Sequence, residues 1–214
     1  MDLADLPVRD IAIGRPGATA VFRRYKIDYC CGGEAPLSAA VVRRGANLEA
    51  ILAELGALAA SEPETPSAPA ELIEHILERY HETHRRQFPE AIRLARRVEA
   101  VHGERPDCPI GLSQHLAFMF DDLETHHQKE ELALFPMMLA GRRDGIDAPI
   151  MCMMDEHKDV LEQLAGLARI TGDFAPPEGA CTTWRALLEL CRQIDADLRE
   201  HMHLENNVLF AAFA

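Results

Sequence analysis

The chain has no apolar run approaching the ~18 residues of a membrane span, and its first residues, "MDLADLPVRDIAIG", lack a basic stretch followed by an apolar one. A membrane anchor and an export signal are therefore not expected, and a cytoplasmic location is. It has no excess of basic residues: 22 Lys and Arg stand against 35 Asp and Glu, for a formal net charge of -13. Nucleic acid and anionic membrane surfaces repel such a chain and are not expected as partners. Aromatic residues are only 6% of the total, and no alternating β-branched run suggests a strand. There is no CxxC pair, and the six cysteines follow no regular disulfide spacing. A reduced compartment fits that usage.

Helical patterning, by contrast, is abundant. The Pro-, Ser- and Glu-rich stretch "SEPETPSAPA" reads as a linker over 61–70, dividing a unit at 1–60 from one at 71–214. The first unit offers short helices over 18–25, 35–45 and 47–60. Gly45 is expected to stop the second, and Asn47 to cap the third, with Leu48, Ile51, Leu52, Leu55 and Leu58 on one face. The second unit reads as four long helices at about 70–102, 110–140, 149–171 and 180–212. Breaks rich in Gly and Pro separate them. Pro89 and Pro136 fall inside this patterning, where kinks are expected. The fold class is all-α: an up-down-up-down four-helix bundle preceded by a small helical domain.

The bundle carries an internal repeat. "HHQKEELALF" (126–135) and "HMHLENNVLF" (201–210) share the frame H-x3-E-x3-L-F at an offset of 75 residues, and His81 and His157 precede the two frames at similar distances. The i,i+4 spacing stacks His126 on Glu130 and His201 on Glu205 along one helix face. One histidine on an amphipathic helix is ordinarily a surface or hydrogen-bonded core residue, and H-x3-E is commonly an exposed pair. Two identical frames with two histidines at matching offsets are a different proposition. Four imidazoles and two carboxylates suit iron better than calcium or magnesium. With Glu130 and Glu205 bridging, each of two irons would receive two histidines and two carboxylate oxygens. An oxide or hydroxide bridge would add a fifth ligand, leaving one position for a small diatomic molecule such as nitric oxide or oxygen. His84, three residues after His81, and Glu156, beside His157, are candidates for supporting the ligands. His127 and His203 turn away from the metal face and are expected to be exposed. His75, His102 and His115 have no nameable partner, and Tyr80 reads as packing.

"DYCCGG" (28–33) sets Cys30 beside Cys31. A disulfide between adjacent cysteines is strained, and a closed zinc site would need two further ligands in a segment without histidine or other cysteines. A reduced, reactive thiol pair remains, alongside a plain packing role. Arg23, Arg24 and Lys26 would favour the thiolate and Asp28 would oppose it. Gly32 and Gly33 read as ending the preceding helix and letting the chain turn.

Taken in order, "DYCCGG", "YHETHR", "HHQKEELALFPMM", "DEHKD", "ACTTW" and "HMHLENNVLF" resemble the bacterial iron-sulfur cluster repair di-iron proteins, from about residue 5 to residue 212. The resemblance implies a ScdA-type N-terminal domain and a hemerythrin-like domain. Its iron ligands fall on His81, His126, His157 and His201, with Glu130 and Glu205 bridging. It implies recovery of iron-sulfur clusters damaged by nitrosative or oxidative stress, with damaged iron-sulfur proteins as partners. Delivery of iron and chemistry on nitric oxide both stay open. A hemerythrin-like sensor of oxygen or nitric oxide, or a nitric oxide reductase, is the alternative. A homodimer is compatible with the sequence.

Overall fold

The computed structural model describes residues 2–58, 66 and 68–213. Most of the expected linker and the last two residues of the 47–60 helix lie outside that set. The protein is all-α: among the described residues there is no strand, only an isolated bridge between Pro7 and Pro36. No helix is long and apolar enough to cross a membrane among the described residues.

The contacts divide the chain into two units. One comprises residues up to Leu72 together with the segment from Arg199 onward. Its helices are α1 (Val8–Gly14), α2 (Ala18–Arg24), α3 (Leu37–Arg44) and α4 (Leu48–Ala57). Gly45 takes a left-handed conformation (φ 64°) that ends α3, as its position predicts. Asn47 caps α4, its side chain accepting from the Ala50 amide at 3.1 Å. Ile51 and Leu55 are the buried part of the apolar face of α4. The helix α1 was not foreseen, because seven residues with Pro7 before them and Gly14 at their end give little periodicity. Phe22, Tyr29, Leu37, Ile51 and Leu55 form the buried centre of this unit. Each such side chain contributes about 1.5–3 kcal/mol.

The second unit runs from Ile73 to Leu198 and is the bundle. The chain enters through α5 (Pro69–Ile76), passes a π-helical turn (Leu77–His81) and continues as α6 (Glu82–His102). Then come α7 (Leu112–Lys129), a second π turn (Glu130–Leu134) and α8 (Phe135–Leu139). These are followed by α9 (Asp147–Ile170) and α10 (Thr182–Leu204), with a third π turn at Glu205–Leu209. All four long helices thus lie close to their predicted limits. Side chains tie the first π turn and α6 to α10: Arg79 of the turn donates to Asp197 at 2.7 Å, and Gln87 of α6 to the same carboxylate at 3.2 Å. Gln163 of α9 donates to Asp122 of α7 at 2.7 Å.

Only one of the two prolines adjoins an irregularity. Pro89 sits inside an unbroken α6. The departures from α geometry are the three π turns, in which Glu82, Phe135 and Phe210 each donate to the carbonyl five residues back. Pro136 follows the second of them, where the wide turn accommodates its ring and lost N–H.

Candidate metal centre

Within the bundle unit, the first π turn, α7 and α9 aim imidazoles at one buried carboxylate. His81 closes the first π turn, and Glu130 opens the second. His81 Nε2 lies 3.5 Å from Glu130 Oε2, and His126 Nε2 lies 3.3 Å from Glu130 Oε1. His126 Nε2 and His157 Nε2 face each other at 3.1 Å. His126, Glu130 and His157 offer ligand atoms all within 4.8 Å of one another. All four side chains are buried, Glu130 and His81 completely.

The far side of two rings is fixed by carboxylates. Glu131 accepts from His81 Nδ1 at 2.8 Å, and Glu156 accepts from His126 Nδ1 at 2.9 Å. A carboxylate at Nδ1 holds the proton there and leaves the Nε2 lone pair facing Glu130. Each carboxylate is itself held by a cation. Arg85 donates to Glu131 at 2.8 Å and to Glu124 at 3.0 Å, and Lys129 pairs with Glu156. The hydrogen bond from His126, and then that from Lys129, holds the Glu156 carboxyl down at about 2. Glu131 was not foreseen. Its one signal is the doubled Glu of "KEE", which sequence alone cannot separate from a solvated charge.

His127 is a correction. Expected to be exposed, it is fully buried, with its ring stacked on His81 at 3.8 Å and on His84 at 5.7 Å. The reason is that α7 has neighbours on two sides. A step of one residue turns a side chain by about 100°, so His126 faces α9 while His127 faces α6. His84 is also buried, between His127 and Tyr80. His75 meets the Tyr80 ring, and His115 Nε2 donates to the Gln163 carbonyl at 2.9 Å.

His201 and Glu205 belong to the segment that groups with the N-terminal unit. His201 Nε2 lies 2.9 Å from Glu205 Oε1, and both are buried. The next residue, Asn206, donates to the Cys30 carbonyl at 3.0 Å and lies 3.5 Å from Cys31 Sγ. Asn207 donates to the Tyr29 carbonyl at 3.1 Å. His203 is a second correction. It is buried rather than exposed, its ring against Tyr29 at 5.4 Å, and burial pushes its pKa down to about 4. Its outward register is covered because the Tyr29–Cys30 loop packs there.

Cys30 and Cys31 are free thiols with sulfurs 3.7 Å apart. Asp28 Oδ1 accepts from both cysteine amides at 3.1 Å and folds the loop. The hydrogen bond with Cys31, burial and the nearby Asp28 charge raise the Cys30 thiol well above its ordinary value. The basic residues expected to oppose this are engaged elsewhere, Arg23 with Glu200 and Arg24 with Glu54. The two glycines do not end a helix, since α2 stops at Arg24. Gly33 is needed for close approach: a Cβ there would meet Arg9 and the Tyr29 carbonyl at 2.9 Å.

The donor set suits a cation. A fully buried carboxylate among imidazoles is costly without positive charge, and two Nε2 atoms face each other beside it. The family model for the hemerythrin HHE cation-binding domain matches residues 72–213. The chain belongs to the hemerythrin HHE family. A second model, ScdA_N, a domain described only as of unknown function, matches residues 4–59. Among curated members, the iron-sulfur cluster repair protein YtfE of Dickeya chrysanthemi is 44% identical, covering 98% of this chain and 97% of its own. YtfE of Citrobacter koseri and of Escherichia coli O8 are each 43% identical over the same shares. An HHE domain is a cation-binding domain, and the His and Glu cluster of the bundle unit is where the described residues of this chain offer such a site.

Proposed function

We propose that this protein repairs iron-sulfur clusters damaged by nitrosative or oxidative stress, using two iron ions held by His81, His126, His157, His201, Glu130 and Glu205. The observation that carries the reading is the buried meeting of His81, His126 and His157 on Glu130. Three further facts support extending it to His201 and Glu205. They repeat the His126–Glu130 frame, they are buried, and a π turn opens at the glutamate of both frames. The family model also spans both frames as one domain. The relatives' name, iron-sulfur cluster repair protein, supports the cellular role.

In this reading residues 71–214 form the metal domain and 1–60 an accessory thiol domain. His81, His126, His157 and His201 would supply imidazole nitrogens to the irons, and Glu130 and Glu205 carboxylate oxygens. When bound, the iron supplies redox chemistry and an open position for nitric oxide or oxygen. The protein's own residues set the terms of binding. Glu131 and Glu156 keep the His81 and His126 rings in one tautomer, and Arg85 and Lys129 anchor those carboxylates. Neutral imidazoles carry no charge, so metal held mainly by them is released more readily than from an all-carboxylate cage, and protonation favours release. The partners are damaged iron-sulfur proteins in the cytoplasm. Cys30 and Cys31 sit against Asn206, next to Glu205, which suits transfer to or from the metal.

The test is reactivation of a nitric-oxide-damaged enzyme carrying a 4Fe–4S cluster. The iron-loaded protein should restore its activity, and the His126→Leu protein should not. Full reactivation by His126→Leu would overturn the reading.

A further inference from the structure

A second cluster lies in the bundle unit, on residues the metal centre does not use. His102 ends α6, and Cys181 immediately precedes α10. His102 Nε2 lies 3.3 Å from Cys181 Sγ. The imidazole is held in place from its other side by the buried Trp184, whose ring centroid is 5.2 Å away. Arg105 packs over the same indole at 5.2 Å and donates to the Glu178 carbonyl at 2.9 Å, which fixes the loop leading to Cys181. The pair is not sealed in the core. Both residues are half-buried and line a cavity of about 350 Å³ with Arg97, Val101, Thr182 and Thr183. Arg97 lines the same cavity, which therefore brings a thiol, a base and a guanidinium together.

The other five cysteines lack this combination. Cys108 and Cys191 are buried, and burial pushes the Cys191 thiol up to about 12. Cys30 is buried against Cys31 and Asp28, and the half-buried Cys31 has the Cys30 sulfur and Asn206 beside it rather than a histidine. Cys152 is exposed, but its sulfur lies 3.6 Å from the Glu156 carboxylate, which opposes a thiolate.

We propose that Cys181 is a thiol-modification site, where His102 serves as the base and low-molecular-weight disulfides with an anionic group are the co-reactant, received by Arg97. The Cys181 S–H proton passes to His102 Nε2. The thiolate attacks one sulfur of the disulfide, the old S–S bond breaks as the new one forms, and the displaced thiolate takes the proton from His102 and leaves as a thiol. One thiol is thereby converted to a mixed disulfide and half of the co-reactant is reduced, with no other oxidant required. The site is independent of the proposed metal function.

The experiment exposes the iron-loaded full-length protein to glutathione disulfide and follows adducts by intact mass and peptide mapping. Fluorescence of Trp184, the chain's single tryptophan, gives a second readout. The first adduct should appear on Cys181, quench or shift the indole emission, and be absent from Cys181→Ala. His102→Gln should slow the reaction by at least about tenfold. Arg97→Ser should slow it with glutathione disulfide but not with the uncharged hydroxyethyl disulfide. A first adduct on Cys152 or Cys31, or an unchanged rate in His102→Gln, would overturn the site. Equal slowing of both disulfides, or of neither, by Arg97→Ser would overturn the preference for an anion.

Discussion

The frames at 126–135 and 201–210 are the same motif put to two uses. In both, a histidine stands four residues before a buried glutamate, and a π turn begins at that glutamate. The next position separates them. Glu131 in the first frame accepts from His81, and Asn206 in the second donates to the Cys30 carbonyl. Two positions after the histidine, Gln128 is exposed while His203 is buried against Tyr29. What the frames share is thus the proposed ligand pair and its local geometry. Where they differ, the first spends its polar side chains on orienting another imidazole, and the second on gripping the thiol loop.

Five substitutions break or sharpen that comparison. The shared part predicts the largest effect: Glu130→Ala and Glu205→Ala should each reduce bound iron from about two per chain to below about one, read by elemental analysis. Unequal losses would show that the frames are not equivalent as ligands. Glu131→Gln should weaken iron binding by about 10–100-fold, read by competition with a chelator, because it loosens the tautomer of His81. Asn206→Ala should leave iron stoichiometry unchanged and cost about 0.5–1.5 kcal/mol in denaturant unfolding, through the loss of its bond to the Cys30 carbonyl, which keeps Asn207 as a donor at 3.2 Å.

The smallest effect is on pH dependence. Burial holds His203 neutral in the folded protein, with its pKa near 4, whereas the unfolded chain protonates it near the ordinary 6.5. Between those values the unfolded state binds more protons, so stability falls as pH drops through that window and levels off below about 4. In urea titrations of the metal-free protein, His203→Gln should flatten the dependence between about pH 6.5 and 4. A slope unchanged from the parent would remove His203 as its source.

The frames also mark how far sequence reading reaches. Helix limits were legible because apolar periodicity and Gly- and Pro-rich breaks are local, and Asn47 and Gly45 announce their caps by residue type. The repeated His and Glu spacing pointed to the four bundle-unit residues that the fold brings together. The π turns were not legible, since an extra residue in a helical turn is set by packing and leaves no periodic mark. His127 and His203 were misplaced for a related reason. A helical wheel assigns one inner face, but His127 meets a second neighbour in α6, and His203 meets a loop remote in sequence. Glu131 and Glu156 could be told from surface charges only once the rings they orient had positions.

The proposal that both frames supply ligands to two irons is tested most directly by anaerobic iron loading followed by metal counting and absorption spectroscopy. Two irons per chain with oxo-bridge absorption, both lost in His126→Leu and in His201→Leu, is the predicted result. A single metal per chain, a preference for zinc, or iron retained in full by His201→Leu would contradict it.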